Sequence, residues 1–227
     1  MTLKQVLTIA GSDSGGGAGI QADIKAMSAN GVFAMSVITA ITAQNTEEVT
    51  DVFELPTSII AAQIDAVFDD FDVAAVKTGM LSSTAIVEVV VRLLKPQHVT
   101  NLVVDPVMIS KTGHALLKPE AIEAVKTQLF PLALLVTPNI HEAQQLSGME
   151  IKSLADARRA AKVIHGFGCK HVLIKAVICR QSEPTICSMT ADSSMCSRGN
   201  SSIPPTLMVQ AARSPRPSPP ISHEANP

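Results

Sequence analysis

Asp105, Asn139, Glu142 and Lys175 are the residue types that handle phosphate and a hard cation, and each closes or follows a short apolar run. Carboxylates offer the oxygen ligands that Mg²⁺ prefers, an amide can orient a cation or water, and a lysine supplies counter-charge. Earlier apolar runs are followed by "GSDSGGGAGIQAD" (11–23), by Gln44 and Asn45, and by Gly79 and Met80. In an open parallel sheet the carboxyl ends of the strands share one rim, where ligands bind. The same residues also have plain structural readings. Asn139 and Glu142 have the N-x-x-E spacing of a capping box for a helix that Gly148 would end. Asp105 before Pro106 could open a turn, and Lys175 could be a strand-end lysine in water.

The glycine-rich stretch lies between a strand and a helix, where backbone N–H groups can cradle phosphate. It lacks GxxxxGK[ST], and the second apolar run ends in Gln44 and Asn45 rather than in an acid that could hold a ribose. The expectation is instead that its glycines let a small ligand approach the backbone.

The elements that must position these residues alternate in period. Strand-like runs cover Val6–Ala10, Ser36–Ala43, Ala74–Thr78, Leu102–Val107, Leu134–Thr137 and His171–Lys175. Helical patterns cover Ile20–Ala29, Thr57–Phe68, Ser83–Leu94, Pro119–Leu129 and Leu154–Gly166. Strands apolar on both faces, alternating with amphipathic helices, predict a doubly wound α/β fold over 1–175.

The chain has 227 residues, 46% apolar and 17% charged, enough for one domain with a real core. A net charge of −2 with no basic block gives no case for nucleic acid. The N-terminus is too short in apolar residues for a signal peptide, and no apolar run spans a membrane, so a cytoplasmic protein is expected. The four cysteines, at 169, 179, 187 and 196, have neither CxxC nor zinc-like spacing.

Composition breaks at residue 176. The last 52 residues hold 8 of the 14 prolines and no lysine, whereas the first 175 hold 11 lysines. A disordered or extended tail is expected over 176–227.

The ordered series "TIAGSDSGGGAGIQADIKAMSANGVFAMSVITAITAQNT", "KTGML", "VVDPVM", "TPNIHEA" and "GCKHVLIK" closely resembles the bacterial hydroxymethylpyrimidine/phosphomethylpyrimidine kinases of thiamine biosynthesis. The resemblance covers 1–175 and implies a ribokinase-like, three-layer α/β/α fold with a mainly parallel central sheet. It implies an ATP- and Mg²⁺-dependent kinase that phosphorylates a hydroxymethyl aminopyrimidine and then its monophosphate, acting as a homodimer. Carried over, Asp23 and Gln44 match residues that read the ring edge, and Gly11, Met80 and Val107 match the pocket wall. Asp105, Asn139, Glu142 and Lys175 match the ATP and phosphate side, with Glu142 and Asp105 toward the metal. Relatives that phosphorylate pyridoxal imply a related B6 kinase as the alternative.

The family continues after its last strand with Lys-Gly-Gly-His and later carries Asn-Thr-His-Gly-x-Gly-Cys, an anion hole with the catalytic Cys. Neither occurs here, so no catalytic residue is retained and the C-terminal part of the fold is missing. The codons suggest why. Lys175–Cys179 reads AAR GCN GTN ATH TGY; one G restored after AAR gives GGC NGT NAT HTG, which can encode Gly-Gly-His-Leu. In the same frame Pro205–Ser214 can encode Asn-Thr-His-Gly-Ala-Gly-Cys-Thr-Phe, its first Gly being forced. The expectation is one nucleotide lost near codon 176, an out-of-frame tail and little or no kinase activity. An inactive pyrimidine-binding remnant is the second reading.

Overall fold

The computed structural model describes residues 3–108, 117–178, 184–190 and 194–198. Among these residues nine strands form one sheet: β1 (Gln5–Asp13), β2 (Phe33–Gln44), β3 (Val49–Glu54), β4 (Val73–Thr78), β5 (Leu102–Val104), β6 (Leu135–Val136), β7 (His171–Ile178), β8 (Pro184–Thr190) and β9 (Ser194–Arg198). Their spatial order is β3-β2-β1-β4-β5-β6-β7-β8-β9. From β2 to β7 all pairs are parallel, while β3, β8 and β9 add antiparallel edges. The order reverses direction at β1/β4, which places the carboxyl ends of β1 and β4 at a topological switch point.

Among the described residues six helices connect the strands: α1 (Gly19–Ala29), α2 (Thr57–Asp70), α3 (Thr84–Leu94), α4 (Pro119–Ala124, continued by a wider turn over Val125–Leu129), α5 (Ile140–Ser147) and α6 (Leu154–His165). Leu7, Ile9, Val76, Leu102, Val104, Val136, Val172 and Ile174 point to one face and share a core with residues of α2 through α6. Val6 and Ala75, on the other face, pack with Met27 of α1. Among the described residues, α1 is the helix that covers this second face, so the α/β/α sandwich carries one layer more fully than the other.

The six expected strands form, with shifted ends. The fourth stops at Val104, because Asp105 turns into Pro106 and Val107 N bonds back to Asp105 O. β3 was not expected. Its residues are mostly exposed on both faces, so it carries no apolar alternation and holds by backbone pairing to β2. The structure also differs from an unstructured tail at β8 and β9. Backbone N–H and C=O groups pair whatever side chains they carry, and Pro184 stands at the first position of its strand, where proline is tolerated. The Asn-Thr-His-Gly equivalent at 205–214 lies outside the described residues.

Candidate active site

The glycine-rich loop is organised by Asp13, which sequence reading passed over. Its buried carboxylate accepts from Gly15 N (2.8 Å), Gly17 N (2.9 Å) and Ala18 N (2.7 Å). Asp13 thereby fixes the loop just ahead of α1, whose Ala18 offers no side-chain cap. The amides of Gly15, Gly17 and Ala18 are thereby turned to Asp13 rather than to a phosphate. Gly19, at φ +56°, packs its backbone so tightly on the Gly11 carbonyl that no side chain fits between them. That glycine serves the loop's own closure rather than ligand access. Gly11 instead faces Met80, whose terminal methyl would meet a Cβ at 2.6 Å.

Asp23 stands three residues after Ile20 and four before Met27, on the stripe of α1 turned to the sheet. A carboxylate on a buried stripe needs partners. Thr8 and Lys77, directly opposite each other on β1 and β4, supply them. Thr8 Oγ1 donates to Asp23 Oδ2 at 2.6 Å and Lys77 Nζ at 2.7 Å. Lys77 was quoted within "KTGML" but not singled out. Its signal was a lysine inside the apolar run Val73–Thr78.

On the other side of the rim, Lys175 Nζ donates to Asp105 Oδ1 at 2.7 Å. The α5 capping box is made: Asn139 Oδ1 accepts from Glu142 N at 2.9 Å and Glu142 Oε2 accepts from Asn139 N at 2.7 Å. Gly148 ends the helix in the left-handed region, as its position predicts. The capping reading of Asn139 and Glu142 holds, and the pair also lines the rim. Glu142 is 2% exposed, and burial pushes its carboxyl from the ordinary 4.5 up to about 7, against the nearby Lys175 charge that lowers it. Such a carboxyl binds protons in the folded state between those values, so its contribution to stability is greatest below about pH 4.5. It is lost as pH rises toward 7, by roughly 3 kcal/mol in all. Urea unfolding of the parent at pH 5 and pH 8 is expected to show this loss. Glu142→Gln, which keeps a capping-box residue, is expected to remove most of it.

These two groups border one cleft of about 360 Å³. All nine residues expected to form a site line it: Gly11, Asp23, Gln44, Met80, Val107, Asp105, Asn139, Glu142 and Lys175. Ser12, Asp13 and Gly79, from the stretches expected on the rim, line it too, and Lys77 and Thr42 join them without having been expected. The Thr42 hydroxyl, with one proton to give, lies 3.0 Å from Ser12 O and 3.2 Å from Gln44 Oε1.

The donor set suits a hard cation. Glu142 is buried without an ion-pair partner within 4 Å among the described residues, Lys175 being committed to Asp105. Among the described residues no cluster of three acidic, His or Cys side chains occurs. Mg²⁺ asks for little more than one or two carboxylates, with phosphate oxygens and water completing its shell. Cys169 is no hidden nucleophile: burial pushes its thiol up to about 11.

The family model described as phosphomethylpyrimidine kinase matches residues 13–205. A hydroxymethylpyrimidine/phosphomethylpyrimidine kinase of Streptomyces coelicolor is 52% identical over 175 residues, 77% of this chain and 65% of its own. The crystal structure of a phosphomethylpyrimidine kinase from Clostridium difficile superposes with a TM-score of 0.82 at 44% identity, covering 92% of this chain and 94% of that one. A Bacillus subtilis pyridoxal kinase in complex with ADP superposes with a TM-score of 0.85 at 33% identity, covering 95% and 86%. The fold is thus that of a ribokinase-like small-molecule kinase. The chain belongs to the phosphomethylpyrimidine kinase family. It spans 65–69% of the length of two bacterial relatives. The family match runs past Lys175 to residue 205, so it does not stop at the compositional break.

Proposed function

We propose that this chain derives from an ATP-dependent kinase that phosphorylates a hydroxymethyl aminopyrimidine and then its monophosphate, in thiamine biosynthesis in the cytoplasm. The observation that carries the reading is the single cleft that joins a hydrogen-bonding pocket wall to the Asp105–Lys175–Glu142 cluster. Phosphoryl transfer needs positioning and charge neutralisation more than covalent chemistry by the protein. Gln44 and Asp23 would hold the ring, and Gly11, Met80 and Val107 would wall it. Lys175 would neutralise phosphate oxygens. Glu142 and Asp105 would hold Mg²⁺, which when bound spreads the charge of the transferring phosphoryl group. The family's anion hole and base fall in the out-of-frame segment, so the chain as written is read as binding pyrimidine with little or no turnover. Calorimetric titration with the hydroxymethyl aminopyrimidine tests this: binding in the micromolar range without ADP release is expected, and no binding to folded protein would overturn it. Preference for pyridoxal over the pyrimidine would favour the B6 reading, which the likeness to the B. subtilis pyridoxal kinase supports.

A homodimer belongs to the same proposal. Ile41 (48% exposed) and Phe53 (63% exposed) are paired neighbours on β2 and β3, with Val52 exposed on the opposite face of β3. A second copy would cover this apolar edge. Phe53→Glu is expected to shift a dimer to monomer in sedimentation velocity at micromolar concentration.

A further inference from the structure

We infer that Lys77 is a specificity-determining residue, which together with Asp23 reads an exocyclic amino group and the ring nitrogen beside it. This rests on the aminopyrimidine reading above. Lys77 emerges from the middle of the sheet into the cleft, and its side chain is 8% exposed. Of its three N–H donors, one goes to Asp23; among the described residues the ammonium makes no other hydrogen bond. Asp23 receives both Thr8 and Lys77 on Oδ2, so Oδ1 carries no hydrogen bond among the described residues. Gly79 keeps the ammonium open on the cleft side, since a Cβ there would lie 2.9 Å from Nζ and 2.9 Å from Ala10 Cβ.

The result is a donor beside an acceptor, both fixed by one ion pair and both largely buried. A 4-aminopyrimidine presents the complement on one edge, an N–H donor next to a ring-nitrogen acceptor. A pyridoxal-type ring does not, because its hydroxyl and ring nitrogen are separated by a methyl-bearing carbon. A site built to hydrogen-bond a ligand rejects an analogue that leaves its buried groups unpaired.

The test is calorimetric binding to the full 227-residue chain, using the hydroxymethyl aminopyrimidine and an aminopyridine analogue with CH in place of the ring nitrogen beside the amino group. The parent chain is expected to prefer the pyrimidine by about 10- to 100-fold. Lys77→Met is expected to reduce that preference to within about threefold. A merely structural role would weaken both ligands equally and leave their ratio unchanged. If Lys77→Met does not fold, Lys77→Arg keeps the ion pair but displaces the donor, and the preference is expected to fall at least about fivefold. Equal binding of both ligands by the parent, or a preference unchanged in the variants, overturns the assignment of Lys77 and leaves the pyrimidine reading standing. A parent chain that is folded and binds no pyrimidine overturns both.

Discussion

A gene with one G restored after the Lys175 codon is expected to yield an enzyme at least about 10³-fold faster than the 227-residue chain, measured as ADP release with ATP, Mg²⁺ and the hydroxymethyl aminopyrimidine. Removing a single oxyanion-type donor costs about 10²–10³ in rate. The family resemblance assigns a whole turn of such donors, and the base, to a Gly-x-Gly-Cys segment that the proposed loss of frame would destroy. Binding of the pyrimidine should change far less, within about tenfold, because Gly11, Asp23, Gln44, Met80 and Val107 all come from the unaltered 175 residues and already line the cleft. The expected signature is therefore a collapse of turnover with binding nearly retained. Equal turnover by the two chains would refute both the frame argument and the role given to the lost turn. Sequencing the genomic DNA around codon 176 addresses the frame directly. An intact AAR GCN GTN in clean reads, with no G missing relative to sister strains, would mean that the tail is the gene's own.

What was legible in the sequence followed from burial. Strands covered on both faces are apolar along most of their length, so β1, β4 and β7 announced themselves, and β2 did so by its buried alternate residues. The rim was legible for the same reason, because polar residues at the ends of buried strands stand out against them. Glu142 could be placed by its capping spacing and its position after the fifth run, and the structure gives it both places. β3 escaped because exposure on both faces erases the period. Lys77 escaped because its partner is 54 residues away on another element, and a lone lysine in an apolar strand does not say what neutralises it. Asp13 escaped because its role is written in three backbone amides, which leave no trace in residue types. β8 and β9 show the converse, since edge pairing needs backbone more than side chains.

The buried pair itself sets the other large effect. Asp23→Ala is expected to destabilise the chain by about 3–5 kcal/mol, because it removes one partner of a largely buried ion pair and leaves the other charged. Lys77 would lose its sole hydrogen-bonded partner among the described residues, and Thr8 Oγ1 would lose its acceptor, inside a site where the lysine side chain is 8% exposed. For a domain of this size that corresponds to a fall of roughly 6–20 °C in melting temperature. The double variant Asp23→Ala/Lys77→Met separates charge from packing. If the cost is an orphaned ammonium, replacing it with an apolar side chain of similar length should recover at least about half of the loss, as apolar replacements of buried pairs commonly do. If the cost were lost packing of α1 on the sheet, the double variant would be no more stable than the single one. Asp23→Asn gives the intermediate case: it keeps an acceptor for Thr8 while giving up the charge that Lys77 requires. Its expected loss lies between the parent and Asp23→Ala, with pyrimidine affinity falling in step because the amino group then faces a weaker acceptor. A melting temperature for Asp23→Ala within about 2 °C of the parent would show that water, rather than the carboxylate, satisfies Lys77.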